Sequence, residues 1–197
     1  MKIIDCEQNS KEWHTARCGI PTASNFDKII TTKGEPSKQR IKYLYQLAGE
    51  AITGIAEETY QNGAMQRGIE MEDEARQLYT LITGNEVKQV GFCLTDEGYG
   101  ASPDGIIGDD ECLEIKCPTV AVHVGYLLGN ALPTDYFQQV QGQLLVTNRK
   151  WANFMSYYPG LKPLIIRVER DDKFLKILKV ELELFVRELT EVIKKIR

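Results

Sequence analysis

The segment Ser102-Pro103-Asp104-Gly105, followed after a short turn by Leu113-Glu114-Ile115-Lys116-Cys117-Pro118, constrains this chain more than any other stretch. Side chains alternate along a strand, so Glu114 and Lys116 share one face while Ile115 takes the other. A tight return through Gly108-Asp109-Asp110 brings the Asp104 end alongside them. The fold must hold two carboxylates and an amine together at one end of a strand pair.

That grouping suits a hard divalent cation. Mg²⁺ prefers oxygen ligands, takes one or two protein carboxylates, and leaves its other positions to water and substrate phosphate. Asp104 and Glu114 meet that demand. The Lys116 amine can orient or deprotonate a bound water and offset charge building on a phosphorane. Asp-Gly is also ordinary turn chemistry and Glu-x-Lys also describes the wet side of an antiparallel strand, so these residues alone leave both readings open.

The 197 residues, 43% hydrophobic and 26% charged, suffice for one domain with its own core. Apolar runs such as Leu164-Ile165-Ile166 fall far short of a membrane span, and Met1-Lys2-Ile3-Ile4-Asp5 lacks a signal-peptide core, so a cytoplasmic protein without membrane contact is expected. Five cysteines, at 6, 18, 93, 112 and 117, are odd in number and show no C-x-x-C spacing. Neither a disulfide framework nor a zinc site is indicated. With only His14 and His123, a histidine-rich metal centre is equally excluded.

A net charge of −4 is not that of a bulk polycation. The charge is uneven, however, with eight Lys/Arg against six Asp/Glu in residues 1–52. That permits a basic rim of Arg17, Lys28, Lys33, Lys38, Arg40 and Lys42.

Patterning predicts helices over 10–16, from Thr22 or Ser24 through Ile30, over 37–53 with Gly54 as a stop, and from about Asn62 to Thr83. The N-terminal 60 residues read as helical throughout. Strands follow at 86–94, 100–107 and 112–117, then helices at 121–128 and 134–147. A strand pair at 151–158 and 164–169 and an amphipathic helix over 171–197 complete an α/β chain with a mixed central β-sheet of about five strands flanked by helices.

Three further groups invite chemistry. Glu70, Glu72, Asp73 and Glu74 form an acidic cluster on a helix, ordinarily a solvated face. Gln138, Gln139, Gln141 and Gln143 offer several amides, with 139 and 143 on one helical face. Arg17 can grip a terminal phosphate with its guanidinium fork and Ser24 can add a hydroxyl donor, where the bland alternatives are an ion pair and a helix cap. Trp13 fits either DNA stacking or a core position.

Pro103-Asp104 with Glu114-Ile115-Lys116 resembles the PD-(D/E)xK nuclease signature, and the longer string resembles the phage lambda exonuclease-like (viral recombinase, YqaJ-type) family. Trp13-His14-Thr15-Ala16-Arg17-Cys18-Gly19-Ile20-Pro21-Thr22-Ala23-Ser24 resembles that family's "W-H-x-x-R-x-G-x-x-T-A-S" segment. Gly68 to Arg76 resembles its "G-x-x-x-E-x-x-A-R" helix, and Tyr136 to Gln141 its glutamine helix. The likeness runs from about residue 10 to about residue 158. No cysteine follows Cys117, which separates the chain from the iron–sulfur branch of these nucleases.

The resemblance implies a restriction-endonuclease-like core and a Mg²⁺-dependent 5′–3′ exonuclease. Such an enzyme digests one strand of linear duplex DNA to mononucleotides and leaves a 3′ single-stranded tail for recombination. It implies two Mg²⁺ ions about 3.5–4 Å apart, held by Asp104, Glu114, the carbonyl of Ile115 and Glu72. Lys116 and Gln139 position the attacking water, with Gln143 as the alternative to Gln139, and Arg17, Ser24 and Ser102 bind the 5′-phosphate. Implied partners are double-stranded DNA ends, a single-strand annealing protein and two further copies in a homotrimeric ring, all in a bacterial host cytoplasm. The alternatives are an endonuclease or repair nuclease of different polarity on the same fold, and a non-catalytic DNA-binding module that would lack the acid–acid–lysine set.

Overall fold

A computed structural model of the chain describes residues 1–57 and 63–197. Strand β1 (Lys2–Ile4) precedes helix α1 (Lys11–Arg17), a 3₁₀ turn (Ala23–Lys28) and α2 (Arg40–Thr53). Helix α3 (Gly63–Thr83) leads into β2 (Phe92–Leu94), β3 (Gly100–Ala101), β4 (Gly105–Ile107) and β5 (Glu111–Lys116). Then come α4 (Val120–Gly129), a 3₁₀ turn (Thr134–Tyr136), α5 (Phe137–Thr147), β6 (Trp151–Ser156), β7 (Leu164–Glu169) and α6 (Asp172–Ile196). The expected helix start at Asn62 lies outside the described residues.

Local chemistry sets several boundaries. Ser10 opens α1 by accepting from the Trp13 amide at 3.2 Å, and Asp171 opens α6 by accepting from the amides of Lys173 and Phe174. Gly54, at φ 69°, closes α2 in the left-handed turn that a side chain would resist. Among the described residues, no helix is long and apolar enough to cross a membrane.

The α/β class and mixed sheet are as expected, but the strands divide differently. They form a three-stranded antiparallel sheet, β1-β2-β3, and a four-stranded mixed sheet, β4-β5-β6-β7. The expected strand over 100–107 is two strands, because Pro103 has no N–H for a ladder and the chain breaks at Ser102-Pro103-Asp104. The expected strand over 86–94 shrinks to β2, although Lys88 still bridges Ile106 through a pair of 2.9 Å bonds. Strand β1 interrupts the helical reading of the N-terminus. At three residues, two of them exposed, it is too short to show a period.

Central strand β5 carries the architecture. It pairs antiparallel with β4 and parallel with β6, and the parallel pairing requires the crossover through α4 and α5. Leu113 and Ile115 pack on one face with Ala75 and Tyr79 of α3. Cys112 packs on the other with Val140 and Leu144 of α5. Alternation therefore sends Glu114 and Lys116 toward α5, as the pattern predicts. A larger core joins α2, α6 and the first 3₁₀ turn, where Tyr43 stacks on Phe185 at 5.7 Å between ring centroids.

Helix α5 lies so close to that 3₁₀ turn that a Cβ on Gly142 would fall 2.5 Å from the Phe26 ring. Phe26 is fully buried and cannot swing away. Gly142→Ala should destabilise the protein by about 1–3 kcal/mol, the usual range for overpacking, as read from urea denaturation. An unchanged midpoint would show that α5 and the turn are free to separate.

Candidate active site

Antiparallel register places Asp104 across from Glu114, since Gly105 pairs with Leu113. With Pro103 unable to extend the ladder, the Asp104 carboxylate takes over, and its Oδ2 accepts from the Ile115 amide at 2.6 Å. Two long side chains hold the backbone of this turn. Gln8 Nε2 donates to the Pro103 carbonyl at 2.9 Å and Arg76 Nε to the Asp104 carbonyl at 3.1 Å. Both Asp104 and Glu114 are buried.

Glu114 is surrounded by donors. Lys116 Nζ and Gln139 Nε2 each approach its Oε1 at 2.5 Å, and Gln143 Nε2 donates to Oε2. Glu114, Lys116 and Gln139 thus converge as the sequence predicts, and both glutamines reach the same carboxylate. Ile115 contributes its amide to Asp104 and buries its side chain against α3. Glu72 stands on α3 beside a cavity of about 650 Å³, shared with Gln8, Asn9, Arg76 and Gln89. Its acidic neighbours do other work: Asp73 pairs with Arg76, and Glu74 accepts from Tyr157 Oη at 2.5 Å.

The charges in this cluster are strained. Burial, then the Glu114 and Glu72 charges, push the Asp104 carboxyl well above its ordinary 3.8, against the opposing pull of Lys116 and the Ile115 amide. Burial also raises Glu72, with Lys116 opposing and Glu114 adding to the rise. Burial disfavours the Lys116 ammonium, yet Glu114 and Asp104 outweigh it and lift the amine above 10.5. Lys116 is a cation at rest, suited to offsetting negative charge rather than to taking a proton.

This excess of buried negative charge fits a divalent cation. Among the described residues, no three His, Cys, Asp or Glu side chains form a cage that could hold a metal unaided. Two carboxylates in an open arrangement match the habit of Mg²⁺, which keeps water and phosphate as its remaining ligands.

A second cluster adjoins the first through Ser102. Arg17 Nη1 donates to Ser102 Oγ at 3.3 Å, and Nη2 to Ser24 Oγ and Thr22 Oγ1 at 3.2 and 3.4 Å. Its guanidinium lies 3.8 Å from the Trp13 ring centroid, and Trp13 Nε1 donates to Ser102 Oγ at 2.9 Å. Arg17, Ser24 and Ser102 therefore meet, joined by Thr22 and Trp13. Trp13 is a wall of this pocket, neither free to stack nor lost in the core. Burial lowers the Arg17 pKa to about 10. Among the described residues, its hydrogen-bond partners are hydroxyls, and the Glu114 charge supports it without a direct ion pair, which leaves the guanidinium able to take an anion.

Sequence reading missed Thr22, Gln8 and Arg76. Thr22 and Arg76 lie inside the family-like segments, but nothing local distinguishes a residue that holds a neighbour's backbone. Gln143 was legible only as the residue one turn beyond Gln139.

A family model described as "YqaJ-like viral recombinase domain" matches residues 12–150. The chain belongs to that family. Two structures of the alkaline exonuclease LHK-Exo from Laribacter hongkongensis, one in complex with dAMP, are each 35% identical to it. They superpose with a TM-score of 0.86 over 95% of this chain and 96% of theirs. A phage-related exonuclease from Haemophilus somnus shares the fold at 14% identity, with a TM-score of 0.74 over 93% of this chain and 99% of its own. An uncharacterized protein of Acanthamoeba polyphaga mimivirus is 29% identical over 170 residues, 78% of this chain but 30% of that protein's length.

In the cation-free protein, folding raises the Asp104 pKa, so ionising this carboxyl subtracts stability as pH climbs above 3.8 toward the folded value. Asp104→Asn removes that penalty and keeps an oxygen for the Ile115 amide. The EDTA-treated variant should melt above wild type at roughly pH 8, with the gap closing near about pH 4, by roughly 2–4 °C per kcal/mol relieved. Equal melting temperatures at both pH values in scanning calorimetry would refute the charge strain.

Proposed function

We propose that this chain is a Mg²⁺-dependent 5′–3′ exonuclease that degrades one strand of linear double-stranded DNA to mononucleotides, leaving a 3′ single-stranded tail for recombination by strand annealing. The observation that carries the reading is the juxtaposition of two anion-handling clusters on one tripeptide. Ser102 belongs to the Arg17 pocket and Asp104 to the carboxylate–lysine site. Two residues of extended chain span roughly 7 Å, a separation on the scale of a single nucleotide.

A strand whose terminal 5′-phosphate sits on Arg17, Ser24 and Ser102 would bring its next phosphate toward Asp104, Glu114 and Lys116. Arg17, held by hydroxyls, would supply a guanidinium fork for the terminal phosphate. Asp104, Glu114, the Ile115 carbonyl and Glu72 are the groups that would hold two Mg²⁺ ions. When bound, these ions supply Lewis-acid polarisation of the phosphate and lower the pKa of a coordinated water. Gln139 would orient the attacking water, and the Lys116 ammonium would offset charge on the phosphorane.

Water attacks phosphorus and the 3′ oxygen of the terminal nucleoside departs with a proton. The released mononucleotide keeps its 5′-phosphate, and the shortened strand carries a new one. The pocket that read the first end can therefore read the next. The dAMP bound by the related alkaline exonuclease is a mononucleotide of the same chemical class. The same reading carries a homotrimeric ring around the duplex, a single-strand annealing partner and a bacterial cytoplasmic setting.

Asp104→Ala should abolish hydrolysis of end-labelled duplex while retaining DNA binding; cutting at the wild-type rate, or cleavage of closed circles by the wild-type enzyme, would overturn the assignment. Arg17→Ala should erase a preference for 5′-phosphorylated over 5′-hydroxyl ends of about 10–100-fold, the worth of a hydrogen-bonded charge. An equal loss on both substrates would remove the end pocket from the mechanism.

A further inference from the structure

The two oxygens of Glu114 are held differently. Oε1 accepts from both Lys116 and Gln139, whereas Oε2 accepts from Gln143 alone. Each carboxylate oxygen offers two lone-pair sites, so Oε1 is filled and Oε2 has one left among the described residues. The donors differ in access as well. Lys116 has 28% of its side chain exposed and Gln139 is half-buried, but Gln143 is 1% exposed.

The Gln143 amide pays for its position. Its Oε1 is buried with no hydrogen-bond partner among the described residues. Reversing the amide would turn that oxygen toward a carboxylate that only accepts, so Glu114 dictates the orientation. A buried carbonyl left unpaired persists where the other end of the same amide is needed. Helix geometry explains how both glutamines reach one acid, since residues four apart stack on the same face.

We propose that Gln143 is a positioning residue that fixes Glu114 for cation binding, while Gln139 and Lys116 are exchangeable partners that release Oε1 and turn to the water and scissile phosphate. This division of labour rests on the metal-nuclease reading above. Gln143 is sealed from solvent, so it stays on Glu114 through the cycle. Lys116 and Gln139 are only partly covered and can leave.

The test is Mn²⁺ binding to the full chain, followed by calorimetry, alongside melting of the EDTA-treated protein. Gln143→Met keeps the side-chain length but not the donor, and should bind Mn²⁺ about 10–100-fold more weakly, the range for outer-shell partners of metal ligands. Its cation-free melting temperature should stay near wild type. Gln139→Met should instead keep wild-type Mn²⁺ affinity and lose kcat. A purely structural Gln143 would lower melting and leave affinity untouched, which overturns the proposal.

Should Gln143→Met fail to fold, the wild-type side-chain amides answer the question by NMR. The Gln143 amide should exchange slowly with solvent both with and without diamagnetic Mg²⁺, whereas that of Gln139 should change. Fast exchange at Gln143 in either state refutes the tether. Wild-type protein that binds no divalent cation sinks the metal reading itself, an outcome distinct from a Gln143 variant with unaltered affinity.

Discussion

The hydrogen bond from the Ile115 amide to the Asp104 carboxylate is the joint on which this structure turns. It closes the gap that Pro103 opens in the backbone ladder, and in doing so brings an acid of the linking turn beside the acid and lysine of the central strand. Gln8 and Arg76 brace the same turn from the N-terminal segment and from α3. One local interruption thus draws together the two sheets and the helix that carries Glu72.

Charge in the interior is arranged against folding and in favour of ligands. Asp104, Glu72 and Glu114 oppose one another around a single lysine, and Arg17 stands half-buried among hydroxyls with no direct carboxylate partner among the described residues. Buried charges of this kind are ordinarily paired. Here three carboxylates share one lysine, and the arginine hydrogen-bonds hydroxyls. The two groups, of opposite net sign, are only a tripeptide apart.

Helix α5 links the two clusters mechanically. Gly142 lets it press on Phe26 in the turn that follows Thr22, while Gln139, three residues before it, and Gln143, the next residue, hold Glu114. A displacement of α5 would therefore disturb the Arg17 cluster and the carboxylate site together.

Much of this was legible in order along the chain. Alternation put Glu114 and Lys116 on one face, helical spacing put Gln139 and Gln143 on another, and the family-like segments singled out Arg17, Ser24, Ser102 and Glu72. The first two are properties of period, which sequence determines without reference to distant residues; the last came from the resemblance alone. Pro103, without an N–H, supplies the break in the ladder, but the tertiary structure alone decided that the Asp104 carboxylate captures the Ile115 amide there. It alone decided that Gln143 joins Gln139 on Glu114, that Trp13 walls the Arg17 pocket, and that the described hydrogen-bond partners of Arg17 are hydroxyls. Hydrogen-bond partners and buried charge are set by packing between segments far apart in the chain, and no local pattern encodes them.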